Sequence, residues 1–233
     1  MHTIVEAFDS AIGLILHFDS SLVEIVLLSL RVSLLAVLAA AVIGLPLGAA
    51  VAVLRFPGRR ATAILLNALM GLPPVVVGLV VYLLFSRSGP LGVLGLLFTP
   101  TAMIVAQIII VTPIIAALAR QRVEDLWAEY KEQLQSLGCS AARAIPTLLW
   151  DGRSSLVTAL LAGLGRASAE GGAVIIVGGN IDHVTRVMTT AIALETSKGD
   201  LALALGLGII LIVLSLGVNA AAFLIRDMTE RHK

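Results

Sequence analysis

Five long apolar runs constrain the fold of this chain more than any other feature. They lie at residues 24–54, 62–86, 99–119, 155–178 and 202–225. Each is long enough to cross a bilayer, because a helix needs about 20 apolar residues to span the hydrocarbon core. Only helices and closed barrels can satisfy their backbone hydrogen bonds inside lipid. The runs therefore predict an all-α, polytopic bundle of about five transmembrane helices.

Little of the chain is left for a second domain. Its 233 residues are 58% hydrophobic and 13% charged, and most of them belong to the five runs. We therefore expect one transmembrane domain over residues 1–233, which crosses the cell membrane several times. Residues 1–21 precede the first run and carry acidic residues between apolar positions. That pattern predicts an amphipathic helix lying at the lipid surface.

Several function classes are disfavoured by what the sequence lacks. It has no Gly-x-x-x-x-Gly-Lys-Ser/Thr loop, no His-Glu-x-x-His helix and no Cys-x-x-Cys pair. Its one cysteine, Cys139, cannot form an internal disulfide. Asp182 and His183 are adjacent, but sequence neighbours do not by themselves make an acid–base pair, and we interpret them as a solvated turn. We expect no catalytic residue, metal site or cofactor, and the net charge of +1 gives no reason to expect nucleic acid as a partner.

The distribution of basic residues predicts an orientation in the membrane. Arginine and lysine cluster after the first run, between the third and fourth runs, and at the end of the chain. The loops on the other side carry only Arg87, Arg186 and Lys198. Loops rich in these residues favour the cytoplasm. With five crossings, the N-terminus lies outside, the C-terminus lies inside, and residues 120–154 form the largest cytoplasmic element.

A polar helix is predicted within residues 120–154. Apolar residues recur there every three or four positions, at Leu126, Trp127, Tyr130, Leu134 and Leu137. Gly138 is expected to end this helix, and Ser140 to cap a second short helix that begins near Ala141. From the residues alone, the segment is either an ordinary loop folded against its own membrane domain or a docking site for a partner.

Several stretches resemble one family of transport proteins. The stretch from Glu132 to Gly138 resembles the Glu-Ala-Ala loop of permease subunits in ATP-binding-cassette (ABC) importers, with Gln133 and Leu134 at the two alanine positions. The runs similar to molybdate and tungstate permeases, and most of all to the tungstate group, are Gly71-Leu-Pro-Pro-Val-Val-Val-Gly78, residues 169–181 and residues 188–200. The resemblance covers nearly all of residues 22–226.

The resemblance implies partners and a function. Residues 120–154, which we call the coupling segment, would dock into a cleft on a separate ATPase subunit. The docking residues would be Glu132, Gln133, Leu134, Leu137, Gly138 and Ala141. The chain would form a homodimer, and a separate extracytoplasmic binding protein would select the ion. The implied function is ATP-driven import of tungstate; molybdate or a broader set of oxyanions is the alternative, because these ions share charge and shape.

Two prolines predict a break in the second span. Pro73 and Pro74, which follow Gly71, remove two amide donors and interrupt the helical hydrogen bonds. Inside a membrane such a break is tolerated only beside protein or water. We interpret it as a bend that lines a cavity in preference to a packing kink, and these three residues as candidates for the translocation pathway or its gate.

The fourth span supplies the other pathway candidates. Arg166 and Glu170 are four residues apart and are expected one turn apart on a single helix, and a charge inside a membrane is expected to be paired or to face the bundle interior. They would form either a structural ion pair or part of a gate. Gly172 is a further candidate, and the neighbouring glycines up to Gly179 favour close helix packing followed by a tight turn.

Two other classes of function remain open on the sequence alone. A membrane-embedded enzyme acting on lipid or peptide would need Arg166 and Glu170 as its reaction centre, but no nucleophile or set of metal ligands accompanies them. A channel or ion-coupled carrier would move its substrate without an ATPase partner. The presence of the coupling segment argues against the second class.

Overall fold

A computed structural model describes residues 2–231, apart from the side chains of residues 2–6, 226 and 229–231. Every regular element within this range is helical. The α-helices are α1 (His2–Leu16), α2 (Ser20–Val53), α3 (Arg59–Leu69), α4 (Pro74–Phe85), α5 (Pro100–Ser136), α6 (Ala141–Asp151), α7 (Arg153–Ser168), α8 (Gly172–Gly178), α9 (Met188–Lys198) and α10 (Leu201–Arg231). A short 3₁₀ helix lies at Gly92–Leu94. The predicted all-α fold is confirmed.

Three helices in the described range are long and apolar enough to cross a membrane unaided: α2, α5 and α10. Two further pairs qualify as spans only when each bent pair is taken together. The axes of α3 and α4 differ by 101°, and those of α7 and α8 by 59°. Each of the five predicted apolar runs therefore corresponds to one long helix or one bent pair, for up to five spans.

The break in the second span follows from the prolines, as predicted. Helix α3 ends at Leu69, and Pro74 opens α4, preceded by Pro73 in an extended conformation. Proline suits the first position of a helix, because the amide hydrogen that it lacks has no partner there in any case. The break in the fourth span was not predicted, since residues 155–178 were expected to form one continuous helix.

The chain divides into two compact units. The first comprises the residues up to Leu35, Pro73–Gln107 and Ala167–Gly217; the second comprises Ala36–Leu72, Ile108–Arg166 and the residues from Val218 onward. The predicted single transmembrane domain stays a prediction. The helix expected over residues 1–21 is α1, which buries Ala7 and Ala11 and exposes Phe8, Ile12 and Leu16. Its contact with lipid also stays a prediction.

Glycines allow close helix packing in each unit. In the first unit, a Cβ atom added to Gly78 of α4 would lie 2.8 Å from the Ala173 Cα atom of α8. In the second unit, a Cβ atom added to Gly48 of α2 would lie only 2.2 Å from the Ala116 carbonyl oxygen of α5. Real Cβ atoms do not approach backbone this closely, so these two contacts depend on glycine.

Candidate functional site

The coupling segment is a long helix followed by a short one. The sequence suggested that the polar helix is a separate short helix. Instead, helix α5 continues without a break from the third apolar run to Ser136, so the polar helix is the end of a span. Gly138 has a φ of +72°, the left-handed conformation that favours glycine. The Cys139 amide donates to the Leu134 carbonyl oxygen at 2.9 Å and closes the helix end. The helix therefore ends as predicted.

Helix α6 begins at Ala141, as predicted, but the hydrogen bonding at its start differs from the prediction. Ser140 lies in the capping position with an extended backbone, but its side chain caps no amide. The Ser140 hydroxyl instead accepts a hydrogen bond from Arg143 Nε at 3.3 Å. Arg143 Nη2 also donates to the Gly138 carbonyl oxygen at 3.1 Å. Ser140 is therefore the N-cap residue, as predicted, but the capping hydrogen bond from its side chain is absent, and Arg143 stabilises the turn instead.

An apolar cluster holds the coupling segment in the second unit. Its buried members come from α2 (Ala49, Ala52, Val53), α5 (Val123, Leu126) and α6 (Ala144, Leu148). Trp127, Tyr130, Leu134, Ala141 and Ile145 pack against it while partly buried. Most of the predicted apolar face of the polar helix is therefore turned inward, onto α2 and α6.

The tip of the segment remains available to a partner. Glu132, Gln133 and Gly138 are exposed, and the Leu137 side chain is 81% exposed although its spacing had placed it on the apolar face. Of the six predicted docking residues, Leu134 and Ala141 support the segment from within, and the other four lie at its surface. At the far end of α6, the Trp150 ring is also exposed, with the Arg153 guanidinium 5.2 Å from its centroid.

The pathway candidates of the first unit lie close to the helix breaks. Glu170 is buried between α7 and α8, and its Oε1 atom accepts hydrogen bonds from the amides of Gly172 at 2.8 Å and Ala173 at 3.3 Å. A Cβ atom on Gly172 would lie 3.0 Å from Val75 Cγ2 at the start of α4. The structure therefore brings Gly172 beside the residue that follows Pro74. Glu170 supports the start of α8.

The expected helical spacing of Arg166 and Glu170 is wrong. Arg166 belongs to α7, which ends at Ser168, and Glu170 lies in the break beyond it. The two residues are therefore not one turn apart on a single helix. Gly71 and Pro73 lie at the bend between α3 and α4, where both are exposed. The assignment of these residues to a pathway or gate stays a prediction.

A small polar cavity of the first unit was missed by the sequence reasoning. Its volume is about 10 Å³, and its polar lining consists of Ser29, Ser33, Gln107, Ser168, Glu170 and Thr189. Gln107 Nε2 donates to the Ala167 carbonyl oxygen at 3.1 Å, and the Ser29 hydroxyl accepts from the Met188 amide at 2.8 Å. Gln107 within the third apolar run was the available signal, because a polar side chain inside a span needs an internal partner.

Comparison with known proteins decides the family. The chain is 42% identical over 213 residues to a probable anion ABC transporter permease protein of Haloferax volcanii, covering 89% of this chain and 92% of that protein. It is 37% identical over 227 residues to the tungstate uptake system permease protein of Peptoclostridium acidaminophilum, covering 97% and 100%. The corresponding Campylobacter jejuni protein is 34% identical over 216 residues, covering 93% and 90%.

This chain belongs to the ABC transporter permease family. No protein-family model matches it. Membership confirms the family resemblance drawn from the coupling segment and the proline- and glycine-rich runs. Family membership and the apolar helices together identify the permease as a multi-pass membrane protein. Its relatives are transport subunits.

An ion-pair cluster of the permease lies in the loop between α8 and α9, in the first unit. His183 Nδ1 lies 2.8 Å from Glu24 Oε2 of α2, and Arg186 Nη1 lies 2.7 Å from Asp182 Oδ1. These four residues line a cavity of about 120 Å³. Asp182 and His183 were interpreted as a solvated turn, and both are indeed exposed. The contact with Glu24 was not predicted, because 159 residues separate the partners.

The Glu24–His183 contact predicts a pH-dependent stability. The hydrogen bond that His183 donates to Glu24, and then the negative charges of Glu24 and Asp182, raise the pKa of His183 above its usual value of about 6.5. Protonated His183 stabilises the folded protein fully at a pH below its pKa in the unfolded chain. This stabilisation is lost as the pH rises through the higher pKa that His183 has in the folded protein. The melting temperature of the purified permease should exceed that of His183→Gln at pH 6, and the difference should disappear at pH 9. His17→Gln is the control; a difference independent of pH would contradict the prediction.

Proposed function

We propose that this permease carries tungstate into the cytoplasm, using energy from ATP hydrolysis on separate ATPase subunits. One observation carries the proposal: two tungstate uptake permeases match the chain over at least 93% of its length. The exposed tip of the coupling segment agrees with it, since a permease without a nucleotide site needs a surface that an ATPase can move. Molybdate, or a wider set of oxyanions, is the alternative cargo.

The docking surface for the ATPase is the turn between α5 and α6. Glu132 and Gln133 offer hydrogen-bonding groups, and Leu137 offers an apolar side chain that its own chain leaves uncovered. An exposed apolar residue rimmed by polar ones is typical of a protein interface. The cluster beneath the turn holds it firmly, so that a push on the tip is transmitted to α5, α6 and α2.

The remaining partners follow from the same proposal. The permease acts as a homodimer, and an extracytoplasmic protein binds the oxyanion tightly and delivers it. The basic residues after the first span, in the coupling segment and at the end of the chain favour an N-terminus outside and a C-terminus inside the cell. The permease itself needs only weak contacts with the ion, because a tight site in the path would stop release.

The contacts for the ion come from polar groups near the helix breaks. Gly71, Pro73 and Pro74 lie at one break, and Glu170 and Gly172 lie at the other. Arg166, in the last turn of α7, is the cationic candidate. Breaks of this kind free backbone groups beside protein or water, and a tetrahedral oxyanion can bind amides, hydroxyls and guanidinium groups. These residues are proposed as the pathway and its gate, with Glu170 as a gate residue and not an ion ligand, because its carboxylate would repel an anion and already accepts the Gly172 amide.

Uptake into vesicles tests the proposal directly. Vesicles holding the permease with its ATPase and binding protein should accumulate labelled tungstate only when ATP is supplied. Excess molybdate or sulfate should reduce this uptake only slightly. Equal competition by molybdate would identify a general oxyanion importer. Uptake that continues without ATP would overturn the proposal in favour of a channel or an ion-coupled carrier.

A further inference from the structure

Arg59, the first residue of α3, makes three hydrogen bonds to two other helices of the second unit. Its Nε atom donates to the Val51 carbonyl oxygen and its Nη2 atom to the Ala52 carbonyl oxygen, both at 2.7 Å. Nη2 also donates to Glu124 Oε1 of α5 at 2.9 Å. Val51 and Ala52 lie in the last turn of α2, where carbonyl groups have no partner within the helix. One guanidinium group therefore joins α2, α3 and α5.

Glu124 extends this network along α5. Its Oε2 atom accepts a hydrogen bond from Arg120 Nη1, one turn earlier on the helix. Glu124 lies eight residues before Glu132, a distance of about 12 Å along the helix axis. Its neighbours Val123 and Leu126 belong to the buried cluster that holds α6 against α2. The network therefore lies at the base of the coupling segment, about two helical turns before its exposed tip.

We propose that Arg59 is a positioning residue that transmits movement of the coupling segment to the ends of α2 and α3. This inference rests on the proposed function, since it assumes that an ATPase moves the tip. A planar guanidinium fixes the directions of several hydrogen bonds at once, so α2, α3 and α5 move together. The apolar cluster keeps the segment attached to α2, and Arg59 adds α3, which leads to the break at Pro73 and Pro74.

Solvent exposure argues that this network serves more than folding. The Arg59 and Glu124 side chains are 38% and 45% exposed. Ion pairs exposed to this degree contribute little to folding stability. Loss of the ion pair alone, as in Glu124→Gln, should therefore leave the permease folded while it loosens the connection between the coupling segment and α3. Arg59→Gln also removes the two hydrogen bonds to the buried Val51 and Ala52 residues, so permease abundance is measured for both variants.

Arg60 provides a matched control. It is the next residue of α3, carries the same charge and is exposed, and it makes no hydrogen bond or ion pair with any residue that the structure describes. Arg60→Gln removes the same charge from the same helical turn as Arg59→Gln. A difference between the two variants therefore reports the Arg59 contacts and not the net charge.

The test compares the two variants in the reconstituted complex of permease, ATPase and binding protein. Tungstate uptake and ATP hydrolysis are measured in the same vesicles. We expect Arg59→Gln to raise the ATP hydrolysed per ion by about two- to thirtyfold, the usual effect of a substitution within a network that couples two sites. Permease abundance and ATPase binding should stay near those of the unsubstituted protein, and Arg60→Gln should leave the ratio unchanged. Arg59→Lys should be intermediate, because an ammonium group cannot reproduce the guanidinium geometry.

Two results would overturn the inference. One is an unchanged ratio for Arg59→Gln, and the other is a proportional fall in uptake, hydrolysis and permease abundance, which would identify Arg59 as a structural cap. Glu124→Gln tests the same network from the partner side and should also raise the ratio. Uptake by the unsubstituted complex tests the proposed function separately, so failure of that function is distinguishable from failure of the inference.

Discussion

Gly138→Glu is expected to abolish ATP-driven uptake while the permease remains in the membrane. Gly138 has a φ of +72°, and a side chain in the left-handed conformation costs about 1–2 kcal/mol. No atom lies within 4 Å of an added Cβ atom, so the first carbon of the new side chain meets no steric obstacle. The damage should therefore be confined to the turn and to the partner that docks on it, because the new carboxylate would be added to an exposed surface.

The measurements are uptake of labelled tungstate, recovery of the ATPase with the purified permease, and permease abundance in the membrane. Gly199→Glu is the matched control, because Gly199 also has a positive φ, of +86°, and open space around its added Cβ atom, but lies between α9 and α10. Only Gly138→Glu should lose uptake and ATPase binding. Full uptake by Gly138→Glu, or equal losses in both variants, would contradict the docking assignment.

The membrane spans were predictable because a helix needs about 20 apolar residues to cross the bilayer, and runs of that length are visible in the sequence. The break in the second span was also predictable from Pro73 and Pro74, since two consecutive residues without amide hydrogens cannot continue a helix. The break between α7 and α8 in the fourth span was harder to predict from the sequence. Gly171 and Gly172 are compatible with a continuous packed helix, and the break depends on the carboxylate of Glu170 binding the amides of the next turn.

In the coupling segment, features that depend on neighbouring residues were predictable, and contacts between residues distant in sequence were not. Gly138 was predictable because a helix end with a left-handed residue favours glycine regardless of what surrounds it. Ser140 takes the predicted N-cap position, but its hydroxyl pairs with Arg143, three residues later, and not with a backbone amide. The contact between Arg59 and Glu124 could not be predicted, because 65 residues separate the partners and only the packing of α3 against α5 brings them together.

The candidate pathway was the least predictable part. A polar or charged residue in an apolar run signals some function or internal contact, and this identified Arg166 and Glu170 as candidates. It could not identify the set that meets around the small cavity, since Ser29, Gln107 and Thr189 come from different helices. Serine and threonine are also common at helix contacts in membranes, so their presence in a run does not distinguish a pathway from packing.

Gly78→Val is expected to have the largest effect on stability. Gly78 is buried where α4 meets α8, and its added Cβ atom would lie 2.8 Å from Ala173 Cα and 3.0 Å from the Ala173 carbonyl oxygen. Backbone atoms cannot rotate away as a side chain can, so the two helices must separate. Overpacking typically costs about 1–3 kcal/mol, which corresponds to a fall in melting temperature of roughly 2–12 °C for a chain of this size.

Two alanine variants distinguish the effect of packing on the melting temperature from the effect of helix propensity. Gly78→Ala should lower the melting temperature of the purified permease, because the clash begins at the Cβ atom. Gly208→Ala in α10 meets no atom within 4 Å, and alanine favours a helix over glycine by about 1 kcal/mol, so this variant should melt at the same or a higher temperature. Opposite signs at the two positions are the expected result. If Gly78→Ala were as stable as Gly208→Ala, α4 and α8 could not be in backbone contact, and the position of Gly172 beside the start of α4 would have to be abandoned with it.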